Sequence, residues 1–116
     1  MKVLVIGHTG LIGSAIFKKL VAAGIPTIGA SLESDPGLNI ESYSSIKRFL
    51  NLHRDISDII CAAGRTSFGN FYEMKESDFD LGVKSKLLGQ IHLTMEALKQ
   101  DNIKSVTLTT DRLRGN

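Results

Sequence analysis

The chain has 116 residues, 42% apolar and 22% charged, a balance that fits one packed domain over residues 1–116 and excludes a disordered or low-complexity protein. Fourteen Lys and Arg against twelve Asp and Glu leave a net charge of +2, and because the basic residues are scattered, no nucleic-acid partner is expected. The single cysteine, Cys61, has no second cysteine to pair with, and the apolar start is broken at Gly7, far short of the roughly 18 residues a membrane span requires. A cytoplasmic protein with no membrane contact is expected.

Val3-Leu4-Val5-Ile6 is an unbroken aliphatic run ended by glycine, which predicts a strand over residues 2–6 buried on both faces. From residue 11 to 23 the spacing becomes helical, with Ile12, Ile16 and Leu20 on one face and Lys18 and Lys19 on another, until Gly24 and Pro26 stop it. Residues 27–31 read as a second strand, followed by the polar turn Glu33-Ser34-Asp35-Pro36-Gly37. A second helix is predicted over 42–53, with Ile46, Phe49 and Leu50 inward and Lys47 and Arg48 outward. Ile59-Ile60-Cys61-Ala62 lies in a third strand, residues 58–62, closed by Ala63-Gly64. The longest periodic segment runs from about 78 to 100, and its stripe of Val83, Leu87, Ile91, Met95 and Leu98 is assigned to the core. Residues 105–109 make a fourth strand.

Strands alternating with helices imply parallel pairing through right-handed crossovers, hence an α/β fold with helices on both sheet faces. The predicted strand order is 3-2-1-4. No fifth strand is predicted, so the fourth is expected at an open margin, and such an edge favours a homo-oligomer.

Gly7-His8-Thr9-Gly10-Leu11-Ile12-Gly13 lies between the first strand and the first helix. Glycines at such a turn let the chain reverse tightly, let backbone approach a phosphate, and let the helix close on the sheet. The helix start then offers unpaired N–H groups and a positive dipole end to an anion, and His8 stands within reach of the same phosphate. The spacing is G-x-x-G-x-x-G. The three histidines, His8, His53 and His92, are too dispersed to hold a metal, and none is expected. Tyr43-Ser44-Ser45-Ile46-Lys47 matches Tyr-x-x-x-Lys, but it precedes the third strand, on a helix far from any switch point.

In chain order, the glycine loop, Cys61-Ala62-Ala63-Gly64, the helix segment Ser85-Lys86-Leu87-Leu88-Gly89-Gln90 and the strand Val106-Thr107-Leu108-Thr109-Thr110 resemble the short-chain dehydrogenase/reductase family over the whole chain. The resemblance implies a Rossmann-like sheet and an NAD- or NADP-dependent oxidoreductase acting on a small-molecule carbonyl or alcohol. It implies cofactor contacts from Gly7, His8, Thr9, Gly10, Leu11, Ile12 and Gly13, from Ser31 at the end of the second strand, from Asn39 and Ile40 near the adenine, and from Ala62, Ala63 and Gly64. It places Thr110 where the family has a catalytic serine and Lys86 where it has the asparagine of a proton relay. Thr110 keeps the hydroxyl, whereas Lys86 has no amide. Ser31 is neither the arginine that pairs with a 2′-phosphate nor the acid that takes ribose hydroxyls, so NAD and NADP stay open. The family's catalytic tyrosine and lysine follow the serine-bearing strand, and no such pair follows here. The chain is therefore expected to be the cofactor-binding portion of the fold, its second half missing, and inactive alone. The competing reading is a dinucleotide-binding or assembly module without turnover.

Overall fold

A computed structural model of the chain describes residues 1–62 and 88–109. Among the described residues there are four strands, β1 (Val3–Ile6), β2 (Thr27–Ala30), β3 (Asp58–Cys61) and β4 (Ser105–Leu108), and three helices, α1 (Leu11–Ala22), α2 (Tyr43–Leu52) and α3 (Gly89–Leu98). All strand pairs are parallel, in the order β2-β1-β3-β4. Ile6 of β1 stands beside Ala30 of β2 on one side and Cys61 of β3 on the other.

The predicted order 3-2-1-4 is therefore corrected: β3 pairs with β1 directly, and β2 forms one margin. The reason lies between residues 31 and 41. No helix separates β2 from the next extended segment; a short turn brings Gly37 back beside Ser31 in a single parallel bridge, the Leu38 N–H donates to the Ser31 carbonyl at 2.9 Å, and α2 follows only after it, carrying the chain over to β3. The place outside β2 is held by a strand reduced to that bridge. Counting it restores the doubly wound order, with β3 and β4 in the fourth and fifth places.

Alternation along the strands divides the core. Leu4, Ile6, Ile59 and Cys61 pack with Ile46, Phe49 and Leu50 of α2 and Leu93 and Ala97 of α3. Val3 and Val5, equally buried, belong to the opposite face, where α1 lies against β1 and β2. Ser42 caps α2, its hydroxyl accepting the Ser45 N–H, and the predicted inward trio of that helix is buried. On α1 only Gly13 is buried and Ile12 is 51% exposed, because no second helix accompanies α1 on its face among the described residues.

The stripe assigned to the core of the last helix is also corrected where it is described. Leu93, Glu96 and Ala97 face inward, while Ile91, Met95 and Leu98 are exposed and Val83 and Leu87 lie outside the described residues. Gly89 explains the rotation: a Cβ there would sit 2.7 Å from Cγ1 of Ile40, so the helix comes down on Ile40 through a glycine. That seats the side of α3 carrying small Ala97 on α2.

Candidate functional site

The parallel register aligns the carboxyl ends of the strands in one row. The Gly7 N–H donates to the Ala30 carbonyl (2.7 Å), the Ala62 N–H to Ile6 (2.8 Å) and the Thr109 N–H to Cys61 (3.1 Å). Ser31, Gly7, Ala62 and Thr109 thus stand side by side along one edge, with α1 beginning just beyond Gly7.

Each loop glycine has a separate physical reason. Gly7 adopts φ +83°, a left-handed conformation that side chains rarely tolerate. A Cβ on Gly13 would lie 1.9 Å from the Gly7 carbonyl oxygen, so α1 meets the turn backbone to backbone. Gly10 is the N-cap, its N–H donating back to Gly7 at 3.1 Å, and a Cβ there would meet nothing nearer than 3.5 Å. The fold requires glycine at 7 and 13; at 10 it leaves room.

The start of α1 carries no side-chain cap and no acidic residue in its first turn, and Gly10, Leu11 and Ile12 around it are exposed. The first N–H groups of a helix lack intrahelical partners and carry the positive end of its dipole. This exposed helix start, without cap or acid, favours negative charge.

His8 is half-buried. Its ring lies where a Cβ on Gly29 would be, 2.3 Å from Cγ, and 5.4 Å from the Phe17 ring. Its Nδ1 is buried with no hydrogen-bond partner. The glycine within β2 is the sequence signal for this close approach.

Asn39 spends its backbone N–H on Ser45 Oγ (3.0 Å), while its Oδ1 accepts the Glu41 N–H (3.0 Å) and keeps one lone pair. Ile40 is buried against Gly89. Ala62 is half-buried beside Gly7, and Thr9 is exposed in the loop. Ala63, Gly64, Lys86 and Thr110 lie outside the described residues. Gln90 and Thr109 were not anticipated: the Gln90 side-chain amide donates to the Thr109 carbonyl at 2.8 Å and the Thr109 hydroxyl to Cys61 at 2.8 Å, tying the end of β4 to α3 and β3.

Tyr43 belongs elsewhere. Its hydroxyl donates to Glu96 Oε2 at 2.7 Å between α2 and α3, with Lys99 Nζ 3.5 Å from the same carboxylate and His92 edge-on to the ring. That hydrogen bond, more than the lysine, holds the Glu96 carboxyl below its ordinary range. Asp58, lowered by hydroxyls of Ser105 and Ser57, sits at the opposite, amino end of the sheet. No group of three potential metal ligands occurs among the described residues.

Compared with solved structures, protein lin1944 from Listeria innocua aligns over 90% of this chain and 51% of its own, at 30% identity and a TM-score of 0.77. A short-chain dehydrogenase from Streptomyces avermitilis aligns over 85% of this chain and 43% of its own (24% identity, TM-score 0.73). A small-chain dehydrogenase in complex with NADPH aligns over 95% and 50% (21% identity, TM-score 0.79). The chain has the fold of the amino-terminal part of short-chain dehydrogenases. It spans about half the length of the short-chain dehydrogenase structures it matches. No protein-family model and no curated protein matches it. Within the short-chain dehydrogenase fold the row from Ser31 to Thr109 is the carboxyl edge where the strand order reverses, the place where doubly wound sheets bind ligands. No helix among the described residues is long and apolar enough to cross a membrane.

Proposed function

We propose that the chain is the dinucleotide-binding part of a short-chain-type oxidoreductase, and that these 116 residues bind NAD or NADP without turning it over. The observation that carries this reading is the uncapped, acid-free start of α1 held against β1 by a glycine-to-glycine contact. The residues fit a pyrophosphate: a chain reversal with no side chain in the way and a cluster of unpaired N–H donors. A neighbouring fold of the same kind was solved with NADPH.

Here the Gly10 to Gly13 segment binds the phosphates, Ser31 and Ala62 flank the ribose, and Asn39 offers its remaining lone pair to the adenine amine. Ala63 and Gly64 belong to the same proposed set of cofactor contacts. His8 packs its ring over Gly29 and beside Phe17 rather than offering it to the phosphate. When bound, the nicotinamide supplies hydride transfer to or from a small carbonyl or alcohol. Thr110, following the tethered Thr109, is the hydroxyl donor of that reading, and Lys86 supplies a positive charge rather than a relay amide. Glu33, about 20 residues beyond Gly13, leaves the choice between NAD and NADP to experiment.

Calorimetry with NADH and NADPH tests the assignment. Gly10→Val keeps the fold, since position 10 has room and ordinary extended backbone, φ −76° and ψ 174°, but its branched carbons stand where phosphate must approach. Affinity falls at least tenfold. A parent chain that binds neither nucleotide, or a variant that binds as well as the parent, removes the assignment.

A further inference from the structure

The end of β2 stands beside the glycine loop, with the Gly7 N–H donating to the Ala30 carbonyl at 2.7 Å, so the turn that follows β2 borders the carboxyl edge of the sheet. That turn, Ser31-Leu32-Glu33-Ser34-Asp35-Pro36-Gly37, contains two acids and no lysine or arginine. Ser34 ties it together. Its hydroxyl oxygen accepts the Ser31 N–H at 2.8 Å and its O–H donates to the Pro36 carbonyl at 2.7 Å, while the Ser31 carbonyl accepts the Leu38 N–H at 2.9 Å. Gly37 closes the turn backbone to backbone, since a Cβ there would lie 2.9 Å from the Ser34 carbonyl oxygen.

The polar main chain at the end of β2 is thus spent inside the turn. The Ser31 N–H, the first beyond the strand, is taken by Ser34 and is not offered to an outside anion. Glu33 and Asp35 are both exposed, and neither forms an ion pair among the described residues. Asp35 shares a hollow with Arg48 of α2, where the two opposite charges offset each other, which leaves Glu33 as the net charge of the turn.

NAD and NADP differ at one place, the adenosine ribose, which carries either a 2′-hydroxyl or a 2′-phosphate. A phosphate monoester brings a charge of about −1.5 to −2 at neutral pH and is held by cations or by free N–H donors. Ribose hydroxyls bring no charge. We propose that the turn after β2 selects NAD over NADP, the carboxylate of Glu33 repelling a 2′-phosphate at a strand end whose own N–H is already engaged. The inference rests on the dinucleotide-binding reading above, in which Ser31 flanks that ribose, and it names the nucleotide which that reading leaves open.

The test is calorimetric titration of the 116-residue chain with NADH and with NADPH at low ionic strength, beside Glu33→Gln and Glu33→Lys. Glu33 is exposed and its side chain makes no hydrogen bond or ion pair among the described residues, so both variants keep the fold, which circular dichroism checks. The parent is expected to hold NADH about tenfold more tightly than NADPH, because like charges near a protein surface repel in only partly screened surroundings. Glu33→Gln narrows that ratio, and Glu33→Lys brings it to parity or reverses it, chiefly by tightening NADPH. A parent that binds NADPH as tightly as NADH overturns the proposal and leaves the dinucleotide-binding reading standing. So does a preference for NADH that Glu33→Lys leaves unchanged, which assigns the choice to shape rather than charge. A parent that binds neither nucleotide overturns the reading itself, and this inference with it.

Discussion

Two glycines one helical turn apart have opposite sensitivities, and the difference separates folding from binding. Gly13→Ala forces a methyl against the Gly7 carbonyl at 1.9 Å, a contact only backbone movement relieves. It is expected to destabilise the chain by about 3 kcal/mol, at the upper end of the usual overpacking cost, read as a lower urea midpoint. Gly10→Ala meets only an ordinary 3.5 Å contact and leaves that midpoint within about 0.5 kcal/mol. Gly29 is a third case, because its obstacle is a side chain: Gly29→Ala collides with the His8 ring, and pairing it with His8→Ala restores the loss. The coupling in that double-mutant cycle should reach about 1–2 kcal/mol, and additive losses would mean that the ring moves aside freely. The glycine loop was legible because its three glycines interrupt an aliphatic run just before a helix. The partnership of His8 with Gly29 was not, since nothing in sequence spacing ties residue 8 to one 21 positions later.

Between elements, the contact of α2 with α3 carries the most consequential polar group. Glu96 is 4% exposed and its carboxylate takes the Tyr43 hydroxyl. Because its carboxyl is held below the ordinary range, it contributes stability above that range and loses the contribution as pH falls through the folded value. Tyr43→Phe leaves the carboxylate short of a partner and should cost about 1.5–3 kcal/mol at neutral pH, as for hydrogen bonds to charged groups. The difference narrows in acid, below the ordinary carboxylate range, as pH falls through the lowered folded value and protonation of Glu96 weakens the bond in the parent. Urea melts of both chains at the two pH values measure it, and a pH-independent gap would point to lost packing instead. Helix α2 was readable to within a residue at each end, because Ser42 caps it and its apolar positions keep one phase. The orientation of α3 was not. Its large apolar residues suggested an inward stripe, while the small Gly89 and Ala97, which give periodicity little weight, decided the packing.

At the scale of the molecule, four strands were legible as four β-compatible runs, but their order was not, because it turned on the segment after β2, which forms a bare bridge before α2 crosses over to β3. The turn after β2 has no helical period, and its consequence for neighbouring strands appears only when Gly37 is seen beside Ser31. The chain alone should show no dehydrogenase turnover. Tyr43 is engaged by Glu96 on the α2–α3 side, away from the glycine loop, and a positioned acid or base commonly contributes about 10²–10⁴-fold to such a rate. Oxidation of NADH or NADPH against a panel of ketones and aldehydes should therefore match the protein-free rate, in the parent as in Tyr43→Phe and Thr110→Ala. Turnover lost specifically in Tyr43→Phe would make that tyrosine catalytic.

The place of β1 between β2 and β3 also bears on how the chain is made. β1 obtains its second neighbour from residues 58–61, and the Lys2 N–H reaches its Ser57 hydroxyl partner across 55 positions. At about 5–20 residues per second, the nascent Val3-Leu4-Val5-Ile6 run stays bare on one side for roughly 3–11 s. The most apolar stretch of the sheet is thus enclosed on its second side only after β3 has been made.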